Sequence, residues 1–172
     1  MTTYAVTGHT DLTDASTELV RDALRGLFAG HSESGHGEAG HSDGGLVGVS
    51  CIARGADSLF AEAVLDAGGR LVVVLPSRDY REAEVKPDDA PVFDRLMEAA
   101  AEVVLTDHET AGPAAYQAAN TAMLARAERL IAVWDGAPPS GPGGGTADAV
   151  LEARAAGVPV RVIWPEGARR SG

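Results

Sequence analysis

Six short apolar runs alternating with stretches of helical spacing constrain this chain more than any other feature of it. The runs are Tyr4 to His9, Leu46 to Cys51, Arg70 to Pro76, Glu102 to Thr106, Leu130 to Trp134 and Pro159 to Trp164. The third is apolar through its centre, as a strand covered on both faces should be. After the first run, Leu19, Val20, Ala23, Leu24, Leu27 and Phe28 recur at the spacing of one helix face, with Thr13 or Asp14 placed to cap it. The same reading predicts a helix ending near Asp66 before Gly68-Gly69, and others over Val92–Ala101, Ala114–Ala127 and Thr146–Ala156. Strand and helix in strict alternation, joined by right-handed crossovers, give a mostly parallel sheet with helices on both faces. The expected fold is therefore α/β, a Rossmann-like three-layer sandwich. Its strand order cannot be read from the pattern.

At 172 residues the chain fits one domain, 1–172, with no internal repeat. Gly30 to Gly45 lacks any apolar pattern and reads as a flexible loop, Ser77 to Asp89 as a polar loop, and Glu166 to Gly172 as a frayed tail. No apolar run approaches the roughly 20 residues that span a bilayer, and Met1-Thr-Thr-Tyr4 has no basic leader, so no membrane partner is expected. The single cysteine, Cys51, forms no internal disulfide and suits a reducing, cytoplasmic compartment. A net charge of −11 repels polyanions and argues against nucleic acid as a partner. It leaves room for a small anion, because clustered backbone N–H groups act locally. Lys86 is the one lysine, so basic contacts to such a ligand fall to arginine or backbone.

Ligands of sheets like this bind outside the carboxyl ends of the strands. Small, polar and turn-forming residues gather there: Gly8-His9, Ser50-Cys51, Arg54-Gly55-Ala56-Asp57, Pro76 with Tyr80, and Trp134-Asp135. Gly143-Gly144-Gly145-Thr146 opens a helix, so backbone can approach a ligand closely and unpaired N–H donors face it. Thr146 can cap that helix or bond a phosphate oxygen, and Asp148 suits its first turn. Arg54 offers a bidentate phosphate contact, Gly55 leaves room for it, and Asp57 is a helix cap or a ribose partner. His9 is a candidate phosphate or ribose contact, and the Trp134 indole either stacks on a base or packs in the core. Asn120 is a surface residue by default. His31, His36 and His41 sit in a Gly/Ser-rich stretch that fixes no ligand directions, so no metal is expected. No cofactor is expected either.

Taken in order, Ala5-Val-Thr-Gly-His9, Ala53-Arg-Gly-Ala-Asp57 and Gly143-Gly-Gly-Thr-Ala-Asp148 resemble the SLOG superfamily of Rossmann-like proteins over Tyr4 to Trp164. That superfamily includes DNA-processing protein A domains and the Lonely Guy phosphoribohydrolases. The resemblance implies a nucleotide or nucleotide-derived ligand whose phosphate sits on the Gly-Gly-Gly-Thr turn, with Asn120 as a further contact. The hydrolase branch carries Pro-Gly-Gly-x-Gly-Thr-x-x-Glu, which puts Ala149 at the glutamate position, with Asp148 and Glu152 nearby. The resemblance thus favours a sensor or binding module. Its alternatives are a nucleoside 5′-monophosphate phosphoribohydrolase using Asp148 or Glu152, and a DNA-processing role that the charge argues against. The alanine-rich helix Ala114–Ala127 would serve either a homodimer contact or packing on its own sheet.

Overall fold

In the computed structural model, which describes residues 1–33, 45–141 and 143–171 (31–33 by backbone only), the six apolar runs form one all-parallel sheet. The strands are β1 (Thr2–Gly8), β2 (Leu46–Ser50), β3 (Arg70–Leu75), β4 (Glu102–Leu105), β5 (Arg129–Val133) and β6 (Val160–Ile163). Their order across the sheet is β4-β3-β2-β1-β5-β6. The chain runs outward from β1 to β4, then returns to the other side of β1 for β5. The switch point is therefore the β1/β5 boundary, where Gly8 lies opposite Val133.

The helices are α1 (Asp14–Glu33), α2 (Ala56–Asp66), α3 (Tyr80–Glu84), α4 (Ala90–Ala99), α5 (Pro113–Arg126) and α6 (Thr146–Ala155). Alternation along the strands sends Val6, Ile131 and Val133 to one face, under Val20, Leu24 and Phe28 of α1 and Phe60 and Val64 of α2. Ala5, Val49 and Val72 point to the other, under Ala119, Met123 and Leu124 of α5 and Ala153 of α6. Leu71 and Val73 meet Phe93 and Leu96 of α4 on the first face. These layers make the Rossmann-like sandwich, and the buried side of α5 is spent on its own sheet.

Three local expectations change. Helix α1 continues past Gly30 to Glu33, because its Leu24 and Phe28 face is anchored in the core; residues 34–44, with His36 and His41, lie outside the described residues. Ser77–Asp89 holds the short helix α3, since Tyr80 gives it a buried anchor. The tail is paired rather than frayed. Arg170 bridges Leu12 in antiparallel fashion, the Thr13 amide donates to the Arg169 carbonyl (3.2 Å), and the Ser171 amide donates to the Asp11 carbonyl (2.6 Å). No helix among the described residues is long and apolar enough to cross a membrane.

Candidate functional site

A cleft of about 1130 Å³ opens along the carboxyl edge of the sheet, and the sequence-predicted residues other than Ser50 and Asp135 line it. Its rim includes Gly8, His9, Arg54, Gly55, Asp57, Asn120, Trp134, Gly143 to Thr146 and Asp148. Gly8 is dictated by packing. A Cβ there would lie 2.3 Å from the Ala56 Cβ and 2.9 Å from the Val133 Cβ, so glycine lets the α2 N-terminus reach the switch point. Gly55, at φ +83, caps α2, and a side chain there would meet the His9 carbonyl at 2.7 Å. The cap is therefore Gly55 and not Asp57, which lies one residue inside the helix and makes no side-chain cap bond. Burial raises the Asp57 carboxyl to about 7, against a weaker lowering by the Ala53 amide. Arg54 is exposed and in no ion pair among the described residues, leaving its guanidinium open to an anion.

Ser50 supports the turn from beneath rather than lining the cleft. Fully buried, its hydroxyl donates to the Asp57 carbonyl (3.1 Å) and accepts from the Ile52 amide (2.9 Å). That second bond steadies Ile52 at φ +48, a conformation a β-branched residue rarely adopts. Strain of this kind concentrates at functional sites. Nothing in the residue types betrays it.

The glycine turn is built from the other side. Gly144, at φ +82, fits its backbone against Tyr116, whose Cβ would stand 2.6 Å from a Cβ at this position. Asn120, 8% exposed, is no surface residue: its amide reaches the Gly144 carbonyl (3.4 Å) and anchors the turn to α5. Gly145 caps α6 at φ −83, and its amide donates to the Asp148 carboxylate (3.1 Å). Thr146 is thus the first helical residue, not the cap, and its hydroxyl stays free among the described residues. With glycine as cap, no side chain covers the first amides of α6. Ala149 is buried at 2%, and Glu152 bonds the Thr121 hydroxyl away from the cleft, so Asp148 is the acidic side chain α6 presents there.

At the switch point itself, His9 is 8% exposed and stands edge-on to Trp164. Its Nε2 lies 3.1 Å from Asp135 Oδ1 and 3.2 Å from the Asp135 amide nitrogen, so one tautomer donates to the carboxylate and the other accepts from the amide. Burial, then the Arg170 charge, hold the His9 pKa below the usual range, and Asp135 opposes both. Arg170 bonds Asp11 (2.9 and 3.1 Å) and lies 3.7 Å from Asp135. This tail arginine and Asp11 escaped the sequence reading because their meeting is set by a contact 159 residues apart. The Trp134 indole donates to the Ala137 carbonyl (2.9 Å), with Arg154 over its ring at 6.0 Å.

No protein-family model matches the chain, and no curated protein matches it. Solved structures do. DNA processing protein A from Streptococcus pneumoniae aligns at a TM-score of 0.65 and 18% identity, over 97% of this chain and 52% of that one. The Helicobacter pylori protein of the same name aligns at 0.63 and 17%, over 98% and 68%. The structural-genomics protein TM1055 aligns at 0.58 and 22%, over 93% and 72%. These alignments show a shared Rossmann-like fold. The chain spans about half the length of the Streptococcus protein. These structural neighbours also correct one expectation. The Helicobacter protein binds single-stranded DNA, so excluding nucleic acid on net charge does not stand. A sum of −11 describes a whole surface, whereas binding responds to the local potential of a groove.

Proposed function

We propose that the chain binds a nucleotide or nucleotide-derived phosphate ligand in the cleft, as a sensor or binding module. The observation that carries this is the N-terminus of α6 behind the Gly143–Gly145 turn, whose first amides no side chain covers, opening on the cleft beside Arg54. It directs N–H groups and a positive dipole end at that space, a ready anion site, whereas the Ala56 and Ser58 amides of α2 already donate to the His9 and Ala53 carbonyls. Arg54 adds a guanidinium unpaired among the described residues, and Thr146 a hydroxyl free among them, on the same rim. The cleft is large enough for a nucleotide; small-molecule sites run from roughly 300 to 1000 Å³. A reducing compartment suits the buried thiol of Cys51, whose pKa burial pushes up.

The phosphoribohydrolase reading is weaker, because the family's glutamate position is occupied by the buried Ala149. Calorimetric titration with AMP, ribose 5-phosphate, adenosine and a short single-stranded oligonucleotide tests the proposal. Phosphorylated ligands should bind at least tenfold more tightly than adenosine. Equal affinities, or none, would contradict it. Release of adenine during the AMP titration would favour the hydrolase instead.

A further inference from the structure

The chain leaves β6 at the outer edge of the sheet and turns at once, the Ala168 amide donating to the Pro165 carbonyl (3.0 Å) with Gly167 at φ +87. Residues 169–171 then pair with the turn between β1 and α1. Since β5 lies between β6 and β1, the segment crosses the carboxyl end of β5, at the switch point. Its backbone bonds Asp11 and Thr13, and the Arg169 amide also donates to the buried Ser16 hydroxyl (2.6 Å). Arg170 and Ser171 line the cleft, as do Asp11 and Asp14. Arg170 reaches both ways. Its Nε donates to the two Asp11 oxygens (2.9 and 3.1 Å), on the turn after β1, and its guanidinium lies 3.7 Å from Asp135, on the turn after β5. One arginine therefore ties the two lips of the switch-point crevice and offsets a carboxylate on each. His9, bonded to Asp135, is held below its usual range by burial and then by Arg170, so near neutral pH it adds no positive charge of its own.

We propose that residues 167–171 form a latch coupled to the anionic ligand. Closed, Arg170 offsets Asp11 and Asp135, and the cleft accepts an anion; open, it leaves those carboxylates to repel one. Arg170 is a positioning residue, acting through the two carboxylates and not on the ligand. The latch rests on the phosphate reading above and adds its regulation. Because few bonds hold the segment and all lie at the surface end of the sheet, it opens locally while the core stays folded. By linkage, if closure strengthens anion binding, the anion strengthens closure by the same factor.

The test uses the full chain, with amide hydrogen exchange to read the latch and calorimetry to read AMP. The Thr13 and Ser171 amides report closure, since each donates across the latch. Without ligand, Arg170→Ala should speed their exchange about tenfold and leave the deeply buried Val6 and Ile131 amides unchanged. Saturating AMP should slow both latch amides in the parent. Arg170→Ala should weaken AMP about three- to tenfold, an effect of half-exposed charges, and leave adenosine unaffected. Adding Asp11→Asn to Arg170→Ala should restore AMP affinity while the latch amides stay fast, a rescue that a merely structural arginine would not show. Unchanged exchange in Arg170→Ala, or AMP that slows neither amide, overturns the latch. If Arg170→Ala binds AMP as well as the parent, or Asp11→Asn gives no rescue, the coupling is wrong while the phosphate reading stands. If AMP does not bind the parent, both readings fall together.

Discussion

Arg54 and Asp57 sit three residues apart on the same rim and are expected to behave differently. Arg54 makes no ion pair among the described residues, so Arg54→Ala should leave stability unchanged. It should weaken AMP by about 1.5–3 kcal/mol, roughly ten- to a hundredfold, and adenosine hardly at all. Equal losses in calorimetry would assign Arg54 to the fold alone. Asp57 bears on stability. Its carboxyl titrates at about 7 when folded and at 3.8 in its reference state, so in that window the folded chain holds a proton the unfolded chain has released. Its contribution therefore falls as pH rises from about 4 to 7. Asp57→Asn should be more stable than the parent at pH 8 by on the order of 1–2 kcal/mol, allowing for partial exposure, with no advantage near pH 4. Urea midpoints at both pH values decide it, and an equal difference at each would refute this assignment.

The elements were legible where local pattern decides them. Apolar runs and helical spacing located β1 to β6, α1, α2, α4, α5 and α6 within a few residues, because burying one face sets both periods. What depends on distant contacts was hidden. Helix α3 needs only one buried tyrosine, and the tail is held by backbone bonds to Asp11 and Thr13 that any residue types could make. Removing residues 167–172 should lower stability by about 1–2 kcal/mol, since it strips these bonds and the Arg170 pair while leaving the sheet intact. An unchanged melting temperature would mean the tail adds nothing in solution. The α2 contact is more demanding. Gly8→Ala puts a methyl 2.3 Å from the Ala56 Cβ and should cost about 1–3 kcal/mol, a drop of several degrees in Tm. A Tm within one degree of the parent would show that α2 can move away freely.

For the whole molecule, a net charge of −11 was legible but misleading, because it averages over a surface whose cleft edge carries helix N-termini and Arg54. The sheet order puts β1 beside β5 and so brings Gly8, Gly55 and Gly145 to one opening, which the linear pattern could not reveal. Binding there should stabilise the folded chain by mass action, about 2.7 kcal/mol at a hundredfold excess over Kd. Gly145 gives the cleanest test of the phosphate reading. Unlike Gly143 and Gly144 it has an ordinary backbone, φ −83, and an added Cβ would meet only Asp148 Oδ2, at 3.6 Å. A side chain is thus tolerated by the fold but stands at the mouth of α6, where the phosphate is proposed to lie. The decisive measurement is AMP binding by calorimetry to Gly145→Val, with Tm compared in the absence of ligand. The account predicts a Tm within a few degrees of the parent and binding reduced at least tenfold. A folded variant that binds AMP as well as the parent would contradict it.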